Sequence, residues 1–297
     1  MSMRYGAIDI GSNAVRLMVK EIREEDGRLR SDKVAYTRVP IRLGEDVFDS
    51  GRIGLAKEEA LALAIEGFRS LLQAMEVRHF RACATSAMRE AENGPEVVAG
   101  ILDRTGVSID IIRGREEADL IFSNFSIATL DRDRDYLYVD VGGGSTELTL
   151  IRRGERVEAK SFRIGSVRLL QGKVKPEVEE AMRGWCRALI ERHGVQAPTV
   201  IGSGGNINRL YKLAGGVGKA PISRSDLEAT FEALKQASHT ERLDRFGLKP
   251  DRVDVIVPAC QIYLDAMALF GAETILVPKV GLGDGMILQL HRARTTG

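Results

Sequence analysis

Residues 136–151, YLYVDVGGGSTELTLI, place three consecutive glycines directly behind an aspartate that ends an apolar run. Each glycine costs roughly 0.5–1 kcal/mol of ordering entropy relative to alanine, and a strand has no need of three. The pattern predicts two strands joined by a tight turn at Gly142, Gly143, Gly144 and Ser145. Such a turn exposes successive backbone N–H groups, a concavity that binds anions without cationic side chains. Phosphate is the obvious anion, although a lone glycine turn also serves plain hairpins.

The same unit occurs a second time. Aligning Asp9 with Asp140 sets Tyr5 on Tyr136, Ile8 on Val139, Gly11 on Gly142, Leu17 on Leu148 and Val19 on Leu150. Both stretches run apolar strand, aspartate, small-residue turn and returning strand, and each is followed by further strands and helices. The chain therefore reads as an internal duplication, with two unrelated hairpins as the competing reading. Duplication predicts two similar half-domains facing each other across a cleft, where ligands preferentially sit. Gly11, Ser12 and Asn13 would then grip the anion from the opposite side, Ser12 and Asn13 through side-chain hydrogen bonds.

The whole chain bounds the answer. Its 297 residues, 44% of them apolar, can bury a full core and suggest two domains. With 43 basic against 42 acidic residues, nothing global advertises nucleic acid or an anionic membrane, so a highly charged ligand must be met by a local site. Cys83, Cys186 and Cys260 lack metal-ligand spacing and are expected as reduced thiols. No basic-then-apolar leader and no membrane-length apolar run is read, so the expected location is the cytoplasm.

An α/β alternation is expected along the chain: strands at 4–10, 14–22 and 33–39, the last after a turn at Glu25-Asp26-Gly27, and an amphipathic helix over 56–75 carrying Leu61, Ile65, Phe68, Leu72 and Met75. Strand 79–84, helices near 86–91 and 95–105, strand 108–112 and helix 115–129 follow. Further helices are expected at 176–192, 204–214, 224–237 and 252–270. His79, His193, His239 and His291 are scattered without ligand spacing and carry no assigned role.

Carboxylates supply the next step. Asp140 at a strand end and Glu147 on the returning strand can point toward the turn. Hard oxygen ligands of this kind hold Mg²⁺ through water while the metal bridges phosphate oxygens. Asp9 is the symmetric partner. The alternative is that both aspartates only accept turn N–H groups.

Five blocks carry a family resemblance: AIDIGSNAVRLMV at 7–19, ATSAMREAEN at 84–93, IIRGREEADLIF at 111–122, YVDVGGGSTEL at 138–148 and VIGSGGNINRL at 200–210. In this order they resemble the exopolyphosphatase/guanosine pentaphosphate phosphohydrolase (Ppx/GppA) family, in its short two-domain form. That family lies within the acetate kinase, sugar kinase, Hsp70 and actin superfamily. The resemblance implies an α/β fold of two actin-like (ribonuclease H-like) domains. The first is expected over 1–121, with a C-terminal helix near 284–297 packing back on it, and the second over 122–283. It also implies hydrolysis of terminal phosphoanhydride bonds of inorganic polyphosphate, with guanosine pentaphosphate as the alternative substrate, guanosine penta- or tetraphosphate as possible partners and a link to the stringent response. Mg²⁺, or Mn²⁺ in its place, is the implied cofactor. No nucleic acid and no membrane span are expected, and a homodimer stays open.

Carried over position by position, the catalytic carboxylate is Glu117. The phosphate and metal sites fall on Asn13, Asp140, Gly142, Ser145 and Glu147, and Ser86 and Arg89 stand beside the phosphate. Arg16 and Arg252 match arginines found near the cleft of relatives. Chemistry independently favours Glu117, because phosphoanhydride hydrolysis needs a carboxylate that orients water; local rules alone would also put both Glu116 and Glu117 in a first helical turn. Three positions depart from the family pattern: Ala14 where relatives carry serine, LGDGM at 282–286, and Asn206 in the adenosine-motif position. A regulatory protein that binds polyphosphate or alarmone with little turnover, and a kinase or filament-forming ATPase, are the other classes. Gly-Ser-Asn in the first turn argues against the last.

Overall fold

The computed structural model describes residues 2–25, 28–124 and 130–295. Asp26 and Gly27 of the expected turn, and positions 125–129 of the expected helix, lie outside the described residues. The chain divides into two compact units, Met1–Asn124 with Gly281–Gly297, and Phe125–Val280.

In the first unit the chain runs β1 (Ser2–Ile10), β2 (Val15–Glu25), β3 (Arg28–Val39), α1 (Leu43–Ser50), α2 (Leu55–Ala74), β4 (His79–Ala84), α3 (Ser86–Glu90), α4 (Gly94–Thr105), β5 (Ile109–Ile111) and α5 (Gly114–Phe122). The sheet order is β3-β2-β1-β4-β5. β1 and β2 are antiparallel, whereas β1, β4 and β5 run parallel. One stripe of α2, Leu61, Ala62, Ile65, Phe68 and Leu72, is buried, as the 3.6-residue period requires. Met75 stands just past the helix as its C-cap. Helix α4 carries Pro95 in its first turn and is capped by Gly106, whose φ of 68° reverses the chain.

The second unit contains β6 (Tyr136–Val141), β7 (Thr146–Arg152), β8 (Glu155–Phe162), α6 (Ser166–Leu170), α7 (Pro176–His193), β9 (Thr199–Ser203), α8 (Gly205–Leu213), β10 (Ile222–Ser223), α9 (Arg224–Gln236), α10 (His239–Asp244), α11 (Ile256–Phe270) and β11 (Thr274–Leu276). Its sheet order is β10-β11-β9-β6-β7-β8. Reading β8-β7-β6-β9-β11 beside β3-β2-β1-β4-β5 gives the same order and the same strand directions, with β10 added at one edge. Two mixed sheets of this order, covered by helices, make the chain an α/β protein of the actin-like, ribonuclease H-like fold. The second core is lined by Leu137, Val139, Leu148, Val200, Ile207, Leu210, Ile256 and Tyr263.

The last helix, α12 (Leu282–Thr295), belongs to the first unit. Its Gly285 lies so close to α5 that a Cβ would stand 1.9 Å from the Leu120 carbonyl oxygen. Asp284 pairs with Lys20 of β2 at 2.5 Å and accepts the Gly281 N–H at 2.9 Å. The Gly-Asp-Gly of 283–285 is thus occupied inside this unit. Helix α11 begins at Ile256 and not at 252, because 250–255 form turns.

Candidate active site

The two hairpins correspond in register residue for residue. Asp9 pairs across the strands with Arg16, and Asp140 with Glu147; both pairs are related by the same shift of 131 positions. Each turn closes identically, Gly11 N–H to Ala14 O at 3.1 Å and Gly142 N–H to Ser145 O at 2.9 Å. The parallel neighbours β4 and β9 bring Cys83 beside Asp9 and Ser203 beside Asp140. Both turns therefore stand at the carboxyl ends of parallel strands, where α/β sheets place their ligands.

In the second unit the turn's carbonyls are all engaged. Gly142 O accepts the Ser166 N–H at 2.9 Å, Gly143 O accepts the N–H groups of Val167 (2.9 Å) and Arg168 (3.1 Å), and Gly144 O accepts Arg168 Nε at 3.0 Å. A trans peptide directs its N–H opposite to its C=O, and the described residues contain no cis bond. The N–H groups of Gly143, Gly144 and Ser145 therefore face away from α6 as a row of donors. Gly165 makes this backing possible: a Cβ there would lie 2.4 Å from the Gly143 carbonyl carbon and oxygen.

Beside the turn, Glu147 is 2% exposed, and its Oε1 accepts the hydroxyls of Ser145 and Ser161, each at 2.7 Å. Asp140 is half-buried. Tyr263 donates its hydroxyl to Ser203 O at 2.5 Å, and the Tyr138 and Ser203 hydroxyls share a hydrogen bond. Burial, reinforced by the Asp140 carboxylate, pushes both phenols well above their ordinary range, so they remain neutral and fix the strand end that carries Asp140. Gly205, at the start of α8, gives its carbonyl to Arg252 Nη1 at 3.2 Å.

In the first unit Ser12 and Ser86 are both buried, with hydroxyls 2.9 Å apart. Loop 11–14 is held from behind, since Ser12 O accepts Gly44 N–H at 2.8 Å and Asn13 O accepts Arg42 N–H at 3.1 Å. The Asp9 carboxylate holds Arg16 at 2.5 Å. Arg89 donates to the Ile112 carbonyl at 2.7 Å, bracing the connection into α5. On α5, Glu117 is 9% exposed. Glu116 is exposed and pairs with Arg81, which also donates to Asp110 and Gln289.

Sequence reasoning missed Gly165, Ser166 and Arg168 behind the glycine turn, and Ser161 on Glu147. The Gly-Ser of RIGSVRLL, 163–170, opening a short apolar run, was the available signal. Among the described residues no three His, Cys, Asp or Glu side chains gather to hold a metal by themselves, and no helix is long and apolar enough to cross a membrane. Two carboxylates beside a row of anion donors suit Mg²⁺, which takes one or two protein carboxylates and completes its shell with waters and substrate phosphates.

The profile of the Ppx/GppA phosphatase family matches residues 22–293. Exopolyphosphatase 1 of Mycobacterium tuberculosis is 25% identical, the match covering 97% of this chain and 88% of that one. The guanosine-5'-triphosphate,3'-diphosphate pyrophosphatase of Aeromonas hydrophila is 27% identical over 96% of this chain, which spans 59% of its length. Among solved structures, the Aquifex aeolicus member of the Ppx/GppA family aligns with a TM-score of 0.75 and 25% identity, covering 100% of this chain and 99% of that one.

Proposed function

The chain belongs to the Ppx/GppA phosphatase family, and from that membership we propose that it is an exopolyphosphatase, releasing orthophosphate from the terminal phosphoanhydride bond of inorganic polyphosphate. The observation that carries this reading is the glycine turn: its carbonyls are bound by residues 166–168, and its donors face the other way, beside Asp140 and Glu147. In this reading the N–H groups of Gly143, Gly144 and Ser145 receive phosphate oxygens. In the first unit the Ser12 and Ser86 hydroxyls, the Asn13 amide and the backbone at Gly11 serve the phosphate chain, with Arg89 beside them.

Asp140 and Glu147 would hold Mg²⁺, or Mn²⁺ in its place, and Ser145 and Ser161 keep the Glu147 carboxylate oriented. When bound, the ion supplies charge neutralisation on the clustered phosphate oxygens. Asp9, whose carboxylate holds Arg16, would join the metal only on release of that pair. Glu117 is the carboxylate that orients the attacking water and takes its proton. Its place fits this role, since Glu117 is buried where the neighbouring Glu116 is exposed and held by Arg81.

The test is phosphate release by the purified chain from polyphosphate, with Mg²⁺ present and after exhaustive chelation. Release that needs the metal is expected; no release, or release indifferent to chelation, overturns the reading. Guanosine pentaphosphate offers the same bond type, and running it in parallel decides between the two substrates.

A further inference from the structure

The stretch 136–151 has no basic side chain, yet the proposed phosphate donors stand beside two carboxylates. Arg168 brings a cation to this place from 24 residues downstream. Its side chain is buried, the residue being 8% exposed. Its Nε donates to Gly144 O at 3.0 Å while its own N–H donates to Gly143 O at 3.1 Å. The residue thus holds two successive peptides of the turn from behind.

We propose that Arg168 is a positioning residue of the glycine turn, whose buried guanidinium supplies the fixed positive charge behind the phosphate donors. The inference rests on the reading of Gly142–Ser145 as a phosphate site. Two physical points carry it. The Gly144 carbonyl and the Ser145 N–H belong to one peptide, so a guanidinium on the oxygen polarises that peptide and strengthens the N–H as a donor. A fixed cation one peptide behind the donor row also offsets the repulsion between an incoming phosphate and the carboxylates of Asp140 and Glu147.

The experiment uses the full chain and inorganic phosphate and tripolyphosphate as probes, titrated by calorimetry with and without Mg²⁺. Three variants separate charge from hydrogen bonding: Arg168→Met removes both, Arg168→Gln keeps a donor without charge, and Arg168→Lys keeps the charge. Arg168→Met and Arg168→Gln are expected to weaken binding of both probes by about tenfold or more, as loss of a charge-assisted contact does, and Arg168→Lys to recover most of it. The melting temperature, taken alongside, shows whether each variant is folded; should Arg168→Met fail to fold, the Gln and Lys variants decide. Binding at wild-type strength in Arg168→Gln overturns the charge role. Equal weakening in Arg168→Lys and Arg168→Gln reduces the residue to packing and overturns it as well. Wild-type protein that binds neither probe overturns the phosphate-site reading itself, and this inference with it.

Discussion

Adjacent helical residues project about 100° apart, and on α5 that angle separates Glu116, exposed and held by Arg81, from Glu117, 9% exposed. Glu117→Gln is expected to lower kcat for polyphosphate by ~10²–10⁴-fold, the usual contribution of a general base. Its melting temperature should be nearly unchanged, because glutamine keeps the shape of the side chain. Glu116→Gln keeps an acceptor for Arg81 and should change neither; similar small effects of the two substitutions on phosphate release would move the base elsewhere. Asp140→Asn should weaken Mg²⁺-dependent phosphate binding far more than it lowers the melting temperature, both read on one preparation. Parallel losses would assign Asp140 to strand-end capping. The duplication also explains Ala14. Its counterpart Ser145 donates its hydroxyl to Glu147, whereas the position corresponding to Glu147 in the first hairpin is Arg16, a donor with nothing to accept that proton. A small apolar residue, fully buried, suits the first copy.

Two close approaches of backbone decide how elements hold the candidate site. At Gly165, a Cβ would meet the Gly143 backbone at 2.4 Å, and rigid main chain cannot yield as a flexible side chain does. Gly165→Ala is expected to cost about 1–3 kcal/mol, in the range of overpacking, and to weaken phosphate binding by tilting the donor row. Denaturant unfolding and phosphate titration measure the two effects, and retention of both would show that α6 can withdraw from the turn without consequence. At Gly285, alanine is the better helix former by about 1 kcal/mol, so helix propensity predicts stabilisation. The Leu120 carbonyl, 1.9 Å from the position of that Cβ, predicts the reverse. Gly285→Ala should therefore lower the denaturation midpoint, and a raised midpoint would refute the close packing of α12 on α5.

Across the molecule, burial is deep enough to silence all three thiols. Cys83, Cys186 and Cys260 are free and buried, and loss of solvation pushes each up to about 12. In the unfolded chain a thiol titrates near 8.5, so between roughly pH 8.5 and 12 the unfolded state releases protons that the folded state keeps. The folded-state values are raised, so this stability is fully present below the unfolded value and is lost as pH rises through that window, by up to about 4 kcal/mol per pH unit for three thiols. Urea midpoints should fall steeply above pH 9. A thiol reagent at pH 8 should label the native protein slowly and all three cysteines after denaturation; rapid native labelling would contradict the burial. On the same scale, the sequence by itself determined the α/β alternation and the paired hairpins, because strand period and turn chemistry are local properties written in consecutive residues. It did not disclose α1 or α10, short helices without a sequence block of their own, which draw their stability from packing. Nor did it disclose Arg81 on Glu116, Arg168 behind Gly144, or Gly285 against Leu120. Those contacts join residues 24 to 165 positions apart and exist only once the sheets have closed, so tertiary structure alone decided which of two neighbouring glutamates is buried and which way the glycine turn faces.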